Sequence, residues 1–131
     1  MKMTSTTPRW TGLTIDCADP DRLAQFWSQL LHRPRSTEMA GEGWASVGSR
    51  HDGVPRLTFQ RVPEPKLGKV RLHLDVTVPD LDAARSEIER LGGRWTGERH
   101  DYDEGSVLTM QDPEGNEFCI VSYREWQHDL H

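Results

Sequence analysis

One pattern occurs twice in this chain and limits what it can fold into. In Arg71 to Asp80, Leu72, Leu74, Val76 and Val78 alternate with Arg71, His73, Asp75 and Thr77. A period of two with β-branched residues predicts a strand with one apolar and one polar face. Pro79 has no N–H for a ladder and ends the strand. The Asp80 carboxylate then accepts from the free amides of a helix's first turn. Upstream, Leu13, Ile15 and Cys17 alternate with Gly12, Thr14 and Asp16, and Asp19-Pro20 supplies a cap and a first-turn proline. Apolar stripes at helical spacing follow each cap: Leu23, Phe26, Trp27, Leu30 and Leu31, then Leu81, Ala84, Ile88 and Leu91. A shift of 61 residues carries Asp19 onto Asp80, Leu23 onto Ala84 and Trp27 onto Ile88.

The order after each helix also repeats. Short strands are predicted at 35–38, 44–47 and 57–60 in the first half, and at 94–96, 106–111 and 117–122 in the second. Ala40 to Gly43, Ser49 to Gly53 and Asp112 to Asn116 read as turns, and His100 to Gly105 as an acidic loop. Residues 63–69, with two prolines, a glycine and charges, read as a linker. The predicted class is therefore α+β. Two β-α-β-β-β modules (10–62 and 70–124) form a single domain over 10–124, with terminal tails 1–9 and 125–131. Apolar strand positions must lie under the helices, where water is excluded. The expected whole is a curved mixed sheet with helices outside and a central cleft.

Charge and composition narrow the partners. A formal net charge of -5 without a basic run argues against nucleic acid. No apolar run approaches a membrane span and the start lacks a signal-peptide core, so a cytoplasmic location without membrane contact is expected. The two cysteines, Cys17 and Cys119, make no disulfide framework. Only 34% of residues are hydrophobic, and the sheets have edges, so a homodimer is expected.

The polar strand faces supply the candidate site. His73, Asp75 and Thr77 point one way, as do Thr14 and Asp16 in the first module. Parity sends Leu57, Phe59, Phe118 and Ile120 to the core. It leaves Arg56, Thr58 and Gln60, and Glu117, Cys119 and Val121, on the other faces. His73 with Asp75 is the candidate proton-transfer pair, because a neighbouring carboxylate suits an imidazole to acid–base work near neutral pH. Asp16 is the third candidate catalytic group. Thr14, Arg56, Thr58, Gln60, Thr77, Glu117 and Cys119 are the candidate ligand-binding residues. A strand His–Asp pair or an Asp16–Arg56 salt bridge that only satisfies itself is the competing reading. Cys119 as a nucleophile would need a lowered pKa.

Three strings resemble the vicinal oxygen chelate superfamily, the glyoxalase and bleomycin-resistance fold. They are Asp19 to Trp27, His73 to Val76 with Asp80 to Ala84, and Asp112-Pro113-Glu114-Gly115-Asn116-Glu117-Phe118-Cys119. The span Gln60 to Leu74 resembles the actinobacterial glyoxalase-like branch. The resemblance covers roughly Thr11 to Tyr123. It implies four metal-ligand positions, which fall here on Gly12, Thr58, His73 and Cys119. Of these only His73 is a family-type ligand, so neither a metal nor another cofactor is expected, and glyoxalase activity proper is not. Two functions follow for a small-molecule cleft. One is a metal-independent isomerase, lyase or cyclase. The alternative is a bleomycin-resistance-like binding protein without catalysis.

Overall fold

The computed structural model describes residues 8–124. The C-terminal tail 125–131 and most of the N-terminal tail lie outside the described residues. The chain forms two compact units, with the boundary after Pro63. Each carries one helix and one four-stranded mixed sheet, so the α+β class with two β-α-β-β-β modules holds.

Module one begins with β1 (Gly12–Cys17) and α1 (Pro20–Leu31). The Asp19 carboxylate accepts from the Arg22 N–H at 3.2 Å, and His32 closes the helix in the left-handed region at φ 54°. Leu23, Ala24, Phe26 and Trp27 are buried, as the stripe requires. β2 (Arg35–Gly41), β3 (Trp44–Val47) and β4 (Arg56–Arg61) complete the sheet in the order β1-β4-β3-β2. β1 lies parallel to β4, and the other pairs are antiparallel. β2 runs to Gly41, further than the turn expected at Ala40 to Gly43, because Gly41 still pairs with Trp44.

Module two repeats the plan with β5 (Asp75–Thr77), α2 (Leu81–Arg90), β6 (Arg94–Tyr102), β7 (Gly105–Gln111) and β8 (Glu117–Tyr123), in the order β5-β8-β7-β6. Asp80 Oδ1 accepts from the Asp82 and Ala83 N–H groups. Ile88 from the helix meets a core of Leu108, Met110, Phe118 and Ile120.

Two expectations are corrected. The opening strand is shorter than Leu72 to Val78, and Leu72 is 82% exposed; single bonds to Leu74 O and from Val78 N to β8 extend the contact on either side of β5. His100 to Tyr102 are strand, not loop. They pair with Val107, Ser106 and Gly105, and only Asp103-Glu104 turns.

Candidate functional site

Strand parity builds a concave wall within module two. Leu108, Met110, Phe118 and Ile120 occupy the core face, so Val107, Thr109, Glu117, Cys119 and Val121 take the other. That second face floors a cavity of about 340 Å³, at the small end of ligand sites. One wall is β5 and the residues before it, with His73 and Asp75; the opposite wall is β6, with Glu98, His100 and Tyr102.

Each wall carries an imidazole–carboxylate pair. His73 Nδ1 lies 3.2 Å from Asp75 Oδ1, with the side chains 41% and 59% exposed. His100 Nε2 lies 2.7 Å from Glu98 Oε2, and this contact holds the Glu98 carboxyl below its ordinary pKa. The His100 ring stacks near Tyr102, centroids 6.0 Å apart. At the floor, burial drives the Glu117 carboxyl up, but Lys66 and the Val70 N–H outweigh it and the net shift is downward. Lys66 Nζ sits 2.8 Å from Glu117 Oε1, close enough for an ion pair yet out of line for a directional hydrogen bond. Burial pushes the Cys119 thiol up; Thr109 opposes this at 3.9 Å, and Asp75 and Glu98 push it further.

His73, Asp75, Glu117 and Cys119, four of the ten candidates, are thus brought together around one cavity. Thr77 is exposed at the end of β5, opposite Val121. The other five belong to module one. Thr14 and Asp16 are exposed on β1. Arg56 Nη1 pairs with Glu38 at 3.0 Å, so its guanidinium is held by Glu38 and not, as the sequence allowed, by Asp16. Thr58 is buried, 3.0 Å from the Ser46 hydroxyl, and its oxygen accepts from Arg56 Nε. Gln60 lies beside Trp44 and Arg61 in a shallow depression. Sequence reasoning missed Glu98 and Glu104 and assigned His100 and Tyr102 to a loop. No signal marked them as a strand: Glu98 and His100 stand beside Arg99 and Asp101, so the stretch lacks the apolar/polar alternation of a half-buried strand.

The side chains do not make the four-ligand metal centre that the family resemblance implies. Gly12 offers no donor, and the Thr58 hydroxyl is buried and engaged. His73, Asp75 and Cys119 do bring donor atoms within 4.8 Å of one another, the set among the described residues that an ion would use. The raised thiol means that an ion there must first displace a proton. The same upward shift argues against Cys119 as a nucleophile.

A family profile described as "Glyoxalase-like domain" matches residues 12–121. No curated protein matches. Among solved structures, the chain is similar to a glyoxalase/bleomycin resistance protein/dioxygenase family enzyme from Burkholderia phytofirmans, with a TM-score of 0.72 at 13% identity over 86% of this chain and 97% of that one. It is similar to a glyoxylase/bleomycin resistance protein/dioxygenase domain from Frankia sp. at a TM-score of 0.68, with 16% identity over 96% and 100% of the two chains. A glyoxalase/bleomycin resistance protein/dioxygenase from Nocardioides follows at 0.65, with 16% identity over 92% and 86%. At such identities the likeness carries the fold alone.

Proposed function

The chain belongs to the glyoxalase-like domain family of the vicinal oxygen chelate superfamily, and from that membership we propose that module two is a metal-independent acid–base site for a small molecule, of the isomerase, lyase or cyclase type. The observation that carries this is the His73–Asp75 pair on the wall of the cavity. Asp75 orients the ring by accepting from Nδ1–H, which leaves Nε2 as the basic nitrogen. Nε2 takes a proton from a carbon or hydroxyl of the bound molecule. In an isomerisation the proton returns at another atom; in a lyase step it passes to the departing group. No step uses a metal. The proton transfer uses module-two residues alone.

The exposure of His73 and Asp75 supports a second reading, binding without turnover, because water is not shut out of the pair. One experiment separates the two. Small carbonyl and hydroxy compounds that bind the chain are followed by proton NMR in deuterium oxide. An enzyme exchanges or converts one of them, and His73→Ala slows this by about 10²–10⁴-fold while affinity persists. Conversion unchanged in His73→Ala removes His73 from the mechanism. Tight binding with neither exchange nor conversion favours sequestration.

A further inference from the structure

Building on the small-molecule reading of module two, we propose that its cavity selects organic ammonium ions with an apolar or aromatic body. The wall carries four carboxylates, Asp75, Glu98, Glu104 and Glu117, against one ammonium, Lys69. Lys66 neutralises Glu117 as an ion pair at 2.8 Å, which leaves Asp75, Glu98 and Glu104 against Lys69. The partners of Asp75 and Glu98 are imidazoles, which neutralise a carboxylate only when they carry a second proton. Glu104 makes no ion pair among the described residues.

The placement of the charges points to an organic cation rather than a bare ion. Asp75 lies on one edge strand and Glu98 on the other. Three interstrand spacings separate those strands, roughly 14 Å along a flat sheet, so a ligand that reaches both walls needs an extended body between its ends. The floor between them includes Val107 and Val121, suited to a hydrocarbon body. Tyr102 and Tyr123, also on the wall, offer the π-systems that attract ammonium groups. An ammonium donates up to three hydrogen bonds, which carboxylate oxygens can accept.

The test uses three probes of matched size on the full chain: 2-phenylethylamine, 2-phenylethanol and 3-phenylpropionate. Binding is read from amide shifts in a nitrogen–proton correlation spectrum. The expected result is an amine dissociation constant at least about tenfold below the alcohol's, with the carboxylate weakest and shifts at Val107, Thr109, Cys119 and Val121. Glu98→Gln and Glu104→Gln, checked for a dispersed spectrum, are each expected to weaken the amine several-fold and leave the alcohol unchanged. Alcohol or carboxylate binding equal to the amine's at those amides overturns the charge selectivity and leaves the small-molecule site standing. If none of the probes moves those amides, the selectivity and the site reading fall together.

Discussion

Glu38 of module one shows how little of a side chain's behaviour its sequence neighbours reveal. Its carboxylate accepts from the Ser49 hydroxyl at 2.6 Å and the Arg50 N–H at 3.1 Å, and pairs with Arg56. These contacts, the Ser49 bond foremost, lower its pKa from 4.5 to about 2. A carboxylate depressed on folding stabilises the native state above its unfolded pKa and ceases to do so as pH falls through the folded one. The contribution is therefore full above about pH 4.5 and is lost between there and about pH 2. Urea midpoints measured across that window are expected to fall more steeply for the wild type than for Glu38→Gln. The two curves should converge at the acid end; parallel curves would show that the network contributes nothing. The sequence showed that Arg56 and Thr58 share a strand face, as they do. It could not show that Glu38, 18 positions upstream of Arg56, would take its guanidinium. A pairing between strands depends on register, which alternation alone leaves undefined.

At the scale of the element, what was legible had a period. Both caps, both helical stripes and the core parity of β4 and β8 follow from where the apolar residues stand, and burial enforces them. β6 was misread because an edge strand exposed over most of its length has no apolar alternation to announce it. Its register also shifts between Trp95 and Arg99, which breaks the count. The partner strand β7 has a tighter constraint. A Cβ built on Gly105 would come within 2.4 Å of Ser122 O and 2.9 Å of Tyr123 Cα, both backbone atoms of β8. Neither can move without parting the strands that floor the cavity. Gly105→Ala is expected to cost about 1–3 kcal/mol in urea unfolding. It should also shift the amides of β7 and β8 at the end where they join the Asp103-Glu104 turn. Wild-type stability in this variant would mean that the strands yield there freely.

For the whole molecule, the repeat was readable because it is written in caps and stripes, while the chemistry was not, because one fold carries many reactions. Family membership therefore fixes the two-module plan, and the side chains on the polar face of module two must supply the rest. The same plan bears on association. Each four-stranded sheet ends in two edge strands, β1 and β2 in one, β5 and β6 in the other. Unpaired strand edges are templates for further pairing unless charge or cover blunts them. β6 is blunted by Glu98, Arg99 and Asp101. β1 presents Leu13 and Ile15, only half-buried, beside an exposed Trp10. With 34% hydrophobic residues the chain has few such groups to leave in water. We therefore propose a homodimer, in which a second copy covers surface of this kind. Light scattering on the full chain is expected to give twice the 15.0 kDa chain mass at micromolar concentration. Trp10→Lys should shift the population toward the single-chain mass, since Trp10 is exposed in the single chain and a charge there cannot be covered by a second copy without cost. A single-chain mass for the wild type throughout the concentration range would rule the dimer out.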